Sequence, residues 1–310
     1  MSVWCVGQAV LDFTVSLGED IQPNRKYRLG EHLECAGGPA LNAACVCGKW
    51  GAESALCARV GDDDRGRKVL ASLDRFGVST EHVQVLPQVE TPWSFIVANP
   101  ASGGRTIFNF PLVGEALDLG SAAGEPDVIL SDGHEPEATL QLVSAHPRAK
   151  TVVDAGTCRE STLRTAEAVE HLVCSEDFAR QYLGRPVALG SDDDLRQDLV
   201  SLRRINQGRV AVTLGAKGLV YLDEDGEARR MPAFPARAVD STGAGDIFHG
   251  AYAFALDRGL DMREALLLAS MTASISVTRA GSQTSIPALP EVLSALDEAG
   301  HHIEVEPARS

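Results

Sequence analysis

Asp240-Ser241-Thr242-Gly243-Ala244-Gly245-Asp246 runs directly into an apolar helical pattern, Ile247, Phe248, Ala251, Phe254 and Ala255, that stops at Gly259. Small residues at a helix start let the backbone approach an anion closely. The unpaired amides of Gly243, Ala244 and Gly245, aided by the helix dipole, would attract it. A carboxylate at Asp246 inside that turn lies beside whatever phosphate the amides hold. Phosphoryl transfer needs such a pairing, because electrostatic positioning does most of the work and a carboxylate takes the proton of the attacking hydroxyl. Taken alone, the stretch reads equally well as an Asp-capped helix with a Gly-rich turn.

Upstream, Gly37-Gly38-Pro39-Ala40-Leu41-Asn42 joins an extended segment to a helix expected from Pro39 to about Trp50, with Gly51 as its stop. Paired glycines admit a ligand against bare backbone, and Asn42 offers both donor and acceptor to a hydroxylated substrate. By itself this too is compatible with a plain turn.

Short β-branched runs alternate with helical patterns along most of the chain, the pattern of a parallel sheet covered by helices. Strands are expected at Val3 to Val6, Ser54 to Val60, Asp127 to Leu130, Thr151 to Asp154, His171 to Cys174 and Val210 to Leu214. Val69, Leu70, Leu73 and Phe76 form a further helical face, and the final third is expected to be mostly helical. Tyr27 to Cys35 and Ser94 to Phe110 break the rhythm as extended chain, the latter folded back through Asn99-Pro100-Ala101-Ser102-Gly103-Gly104. These strands cannot form a core of their own. The expectation is one α/β domain over residues 1–310, with a small β-sheet lid built from about 13–36 and 90–112.

The 310 residues carry 43 acidic and 28 basic side chains, a net charge of −15, which speaks against a nucleic-acid partner. With 44% hydrophobic and 23% charged residues the chain is ordinary globular protein. Seven cysteines without a CxxC pair read as reduced thiols. The start, MSVWCVGQAVLDF, lacks the plan of a signal peptide, and the apolar run Ala265 to Val277 is too short for a membrane span. A cytoplasmic protein is expected.

Together the two glycine-rich segments resemble the signatures of the PfkB, or ribokinase-like, family of carbohydrate kinases. The first is matched from Gly37-Gly38 through Asn42 and Ala44 to Gly51 and Gly61, the second continuously from Asp240 to Ala253. Thr213 to Gly218 and Thr278 to Pro287 look like two further family segments. The resemblance implies a three-layer α/β/α fold with a mostly parallel sheet, and an enzyme using ATP and Mg²⁺. It places Asp246 as catalytic base and Gly243, Ala244 and Gly245 as the anion hole. Thr213, Gly215, Ala216, Lys217 and Gly218 would lie along the nucleotide, with Gly245 at its phosphate end. Asp12, Gly37, Gly38 and Asn42 would grip sugar hydroxyls. Asp240, Thr242, Ser276, Arg279, Gly281 and Ser285 match positions that in many relatives bind a monovalent cation such as K⁺. A homodimer through the lid is a further expectation.

The sequence departs from the family at two points. The usual Asn and Glu of an Asn-x-x-Glu element become Ser175 and Phe178, leaving Ser175 at the nucleotide and Glu176 or Asp177 to reach Mg²⁺ through water or to be plain helix-start carboxylates. Ribokinases proper place an Asn where Val10 stands, which argues against ribose. Lys26, Arg28, Arg105 and Asn109 lie on the lid segments, and Thr106 to Pro111 together with Asp12 looks most similar to the ketohexokinase and sulfofructose kinase branches. A substrate sulfonate or phosphate would need such basic groups, although charges on a strand edge also serve to block pairing with another sheet. His134 falls where another substrate-binding side chain is expected; the other reading is a loop histidine. A ketose is the first expectation for substrate. A nucleoside kinase, with Trp93, Phe95 and Phe108 as a base slot, and a non-catalytic sensor are the alternatives.

Overall fold

The protein is described here from a computed structural model covering residues 2–99, 104–120 and 122–305. In chain order the strands are β1 (Ser2–Val6), β2 (Val10–Ser16), β3 (Leu33–Gly37), β4 (Glu53–Gly61), β5 (Val78–Ser79), β6 (Val83–Leu86), β7 (Trp93–Asn99), β8 (Gly104–Phe110), β9 (Val128–Ser131), β10 (Lys150–Ala155), β11 (His171–Ser175), β12 (Arg209–Thr213), β13 (Leu219–Leu222) and β14 (Ala228–Met231). The helices are α1 (Pro39–Lys49), α2 (Asp64–Asp74), α3 (Pro136–Ala145), α4 (Glu160–Ala168), α5 (Glu176–Leu183), α6 (Asp192–Arg203), α7 (Ala244–Asp257), α8 (Met262–Ser276), α9 (Ser282–Ser285) and α10 (Leu289–Glu298).

The main sheet runs β14-β13-β12-β11-β10-β9-β1-β4-β5, with β6 also on β4. Pairing is parallel from β12 through β4 to β5 and β6, and antiparallel at the β12-β13-β14 edge. Successive side chains of a strand point to opposite faces, and the core divides accordingly. Val152, Val173 and Ala211 pack with α1, α7 and α8, while Val153, Leu172, Val210 and Val212 pack with α5 and α6. This is the ribokinase-like three-layer α/β fold expected from the sequence. The β13-β14 hairpin was not expected; its signal is the turn Asp223-Glu224-Asp225-Gly226, where Gly226 has φ +78°. Among the described residues no helix is long and apolar enough to cross a membrane.

A separate four-stranded sheet, β3-β2-β7-β8, stands beside this body. Its register stacks Cys35, Asp12, Ser94 and Asn109 in one row, then Leu33, Thr14, Ile96 and Ile107, then Ser16, Ala98 and Arg105, all on one face. Phe13, Trp93, Phe95, Phe108 and Phe110 occupy the opposite face. Of the extended segment expected over Tyr27 to Cys35 only its end pairs, as β3. Tyr27 instead accepts the Gln22 amide at 2.9 Å and packs with Val15, Leu17 and Val97, so this stretch covers the sheet without joining it. In the expected turn, residues 100–103 lie outside the described residues.

Candidate active site

Asp246 and Asn42 are 204 residues apart in sequence, and the crossing of α1 and α7 brings them together. Gly250, one turn beyond Asp246, makes the crossing close: a Cβ there would lie 2.7 Å from the Ala43 carbonyl oxygen and 2.9 Å from Val46. Asn42 Nδ2 consequently donates to Asp246 Oδ2 at 2.7 Å. Asn42 is only 3% exposed, and among the described residues its Oδ1 has no partner. A buried amide oxygen without a donor is costly, and here it is free to accept from a bound hydroxyl. Burial pushes the Asp246 carboxyl above the usual range, with the Asn42 hydrogen bond and the charges of His249 and Arg105 pulling it back.

Gly243 caps α7 with φ +74°, a conformation suited to glycine. A Cβ on it would meet Ser282 Cβ at 2.7 Å. Ile247 donates to the Gly243 carbonyl at 2.8 Å, and the Ala244 amide bends back to Ser241 at 3.3 Å. Among the described residues the amides of Gly243, Gly245 and Asp246 have no acceptor. The turn thus presents several open donors at a helix N-terminus beside a carboxylate.

Asp12 lies in β2, its carboxylate set against Gly37, where a Cβ would come within 2.5 Å of Oδ2. Burial raises Asp12 and a hydrogen bond to Ser94 offsets this; Asn109 Nδ2 in turn donates to Ser94 Oγ at 3.3 Å. A Cβ on Gly38 would strike the Gln8 carbonyl at 2.5 Å. Buried Asp132 holds this corner by accepting from the amides of Gln8 (2.8 Å), His134 (3.0 Å) and Ala40 (3.3 Å).

Two cavities meet the turn. One, of about 490 Å³, is lined by Thr213, Gly215, Ala216 and Gly218, by Phe234 and its neighbours, and by Ser241, Ala244 and Gly245. The other, of about 1100 Å³, lies between the Thr14, Ile96 and Arg105 side of the small sheet and residues 238–242 and 280–281. Arg105 Nη1 spans it to reach Thr242 Oγ1 at 3.4 Å.

A model of the pfkB family carbohydrate kinases matches residues 2–289. The chain is 27% identical to a ribokinase of Haemophilus influenzae, over 95% of this chain and 98% of that one. It is 25% identical to a nucleoside kinase of Methanothermobacter thermautotrophicus, over 91% of each. A crystal structure of a putative ribokinase from Agrobacterium tumefaciens superimposes with a TM-score of 0.84 at 28% identity, over 96% and 98% of the two chains. The chain belongs to the pfkB family of carbohydrate kinases. It is an ATP-dependent sugar or nucleoside kinase.

Within this pfkB kinase several expected site residues fall elsewhere. Lys26 is exposed and lines neither cavity, although Leu29 to Leu33 of the same segment line the larger one. His134, like Asp12, Asn42 and Asp246, is in neither lining; its ring lies 3.1 Å from Asp132 and 3.4 Å from Arg159. Lys217 turns away from the nucleotide-side cavity to Glu176, at 3.1 Å. Ser175 is absent from that lining as well, since its hydroxyl caps α5 by accepting from Phe178 N at 3.1 Å and donates to Gly156 O at 2.7 Å. Phe234, Ser270, Ala273, Ser274 and Val277 line the cavity and were not foreseen. Ser270, Ala273 and Ser274 stand at helical spacing on α8, a small-residue stripe that the sequence displays, and Val277 caps the helix.

The residues expected at a monovalent cation gather around one loop junction. Asp240 accepts from the amides of Gly281 (2.8 Å) and Thr242 (2.9 Å), which hold its carboxyl below the usual range against the effect of burial. Arg279 donates its amide to Ser276 O at 3.0 Å and pairs its guanidinium with Glu291. Ser285 is buried and donates to Ser282 O at 2.8 Å. Among the described residues no group of three His, Cys, Asp or Glu side chains is placed to hold a metal.

Proposed function

We propose that this kinase transfers the γ-phosphoryl group of ATP to a primary hydroxyl of a ketose or ketose derivative, with Asp246 as base and Asp12 and Asn42 on the sugar hydroxyls. The unpartnered Oδ1 of Asn42, buried next to Asp246, is the observation that carries this reading. The nucleotide suits the cavity lined by Thr213, Gly215, Ala216 and Gly218, which Ala244 and Gly245 of the turn also line. Val10 is buried where ribokinases carry an amide, which disfavours ribose. The nucleoside reading loses its base slot. Trp93, Phe95 and Phe108 lie on the face away from Asp12, and Trp93 stacks on Phe110 at 4.0 Å beneath Arg65.

Mg²⁺ would be carried on the nucleotide phosphates themselves, because Glu176 is engaged with Lys217 outside the lining of that cavity and Phe178, fully buried, offers no carboxylate. A K⁺ ion at the Asp240 to Ser285 junction would be held by carbonyls, since the Asp240 carboxylate already serves two amides. Phe108 and Phe110, 48% and 46% exposed on the edge strand β8, suit contact with a second copy through the small sheet.

ADP release measured over ketoses, aldoses, acidic sugars and nucleosides tests the reading. Turnover is expected on ketoses, and turnover confined to nucleosides would overturn it. Asp12→Ala should raise the KM for sugar about tenfold, the effect of losing a hydrogen bond to a charged group, and leave the KM for ATP within about twofold. A change in the ATP constant alone would reverse the assignment of the two cavities. Arg105→Ala should lower kcat/KM about 10- to 100-fold for a ketose bearing a sulfonate or phosphate, and far less for a neutral ketose. Equal losses would make Arg105 a closing contact to Thr242 only.

A further inference from the structure

His249 follows Asp246 by three residues on α7 and is only 3% exposed. Its Nδ1 lies 2.8 Å from the Gly245 carbonyl oxygen and 3.2 Å from Asp154 Oδ2, and its Nε2 lies 3.1 Å from the Val173 carbonyl oxygen in β11. Both ring nitrogens therefore face oxygen acceptors, and two of the three oxygens are carbonyls that carry no proton. A neutral imidazole has one bare nitrogen. Here that nitrogen would point a lone pair at an oxygen lone pair in a site shielded from water, where unpaired polar groups are most costly.

We propose that His249 is an imidazolium held by Asp154, and that it acts as a positioning residue which keeps Asp246 ionised and ties the first turn of α7 to β10 and β11. The inference rests on Asp246 as the base, and it assigns a task to two side chains that reach neither substrate cavity.

The surroundings explain the need for this charge. Asp246 and Asp132 both raise Asp154, and Asp132 also raises Asp246. Burial pushes Asp154 up to about 6; His249 and His134 pull it down, while Asp246 and Asp132 add to the rise. The other charged groups facing the cluster are Arg159, at 3.4 Å from His134, and Arg105 and Asp12, which face Asp246 from the small sheet. Moving the shared proton to Asp154 would satisfy Asp154 and Nδ1 together, but it would leave the Gly245 carbonyl 2.8 Å from a bare nitrogen. The geometry therefore places the proton on the ring.

Nitrogen-detected NMR of the intact protein with labelled histidine reads the proposal without turnover. Of the 8 histidines, the one whose signals vanish in His249→Gln is expected to show protonated shifts on both ring nitrogens in neutral buffer. In Asp154→Asn, which removes the carboxylate nearest the ring, the same ring should lose one proton under the same conditions. A bare nitrogen in the wild-type protein would overturn the proposal and leave Asp246 as base untouched.

The kinetic counterpart is the pH profile. In His249→Asn the acid limb of kcat/KM should move to higher pH, with about a tenfold loss on the acid side and an alkaline plateau within about threefold of wild type. A uniform loss at every pH would show a purely structural histidine.

Discussion

Asp246→Asn should lower kcat by about 10²- to 10⁴-fold and leave ATP affinity within a few-fold. Asn preserves the size of the side chain and can still meet Asn42, but it cannot accept the proton of the attacking hydroxyl. In the proposed reading the nucleotide meets the turn from the other cavity, which Ala244 and Gly245 line and which the substitution leaves in place. Single-turnover phosphoryl transfer together with equilibrium nucleotide binding separates the two effects. The wild-type enzyme carries a related signature. Burial raises Asp246, and the base works only when ionised, so kcat/KM should fall with decreasing pH at values above those of an ordinary carboxylate. Near wild-type kcat in the Asn variant would remove Asp246 from the chemistry.

Gly243→Ala is expected to damage both activity and stability. Its φ of +74° disfavours any side chain by roughly 1–2 kcal/mol. Its new Cβ would also sit 2.7 Å from Ser282 Cβ and 3.3 Å from Ser282 Cα, and Ser282 is buried and cannot retreat into solvent. Relief requires the turn to shift, and with it the open amides and the Asn42 side chain 3.5 Å away. A loss of at least about tenfold in kcat should accompany about 1–2 kcal/mol of destabilisation. Gly245→Ala is the control for folding, because nothing lies within 4 Å of a Cβ there; inside α7 the alanine should leave the denaturation midpoint at or above that of wild type. Full activity in Gly243→Ala would mean that the phosphoryl group binds elsewhere.

The central strands of the main sheet, β1, β4 and β9 to β12, were legible because buried parallel strands are short β-branched runs bounded by turn residues, and α7 was legible because its glycine turn abuts an apolar period. The lid was legible in kind but not in extent. Tyr27 and Leu29 look like strand residues, yet Tyr27 is used to cover Val15 and Val97, a tertiary role that local sequence cannot announce. The same limit explains Lys26, whose charge marks it as a candidate although only the residues from Leu29 to Leu33 of its segment line the cleft. Ser175 and Lys217 failed differently, because each had a local partner, the α5 cap and Glu176, that absorbed its polar atoms. His249 and Asp154 were invisible for a third reason. Their meeting depends on α7 lying across β10 and β11, a contact that spans 95 residues of chain and leaves no mark in the spacing of either motif.

The alternation of the small sheet governs how this enzyme can change over generations. Leu33, Thr14, Ile96 and Ile107 form a row beyond Asp12 on the cleft side, backed by an aromatic layer that shares no side chain with it. Point substitutions in that row can drift toward new substrates without disturbing the packing behind them. A single inserted or deleted residue within β2 or β7 would exchange the two faces, burying Asp12 among the aromatic rings and turning Phe13 or Phe95 into the cleft. Length variation in related lineages should therefore fall outside these strands, in the stretch 18–32 or in the link between β7 and β8, while the strand lengths themselves stay fixed.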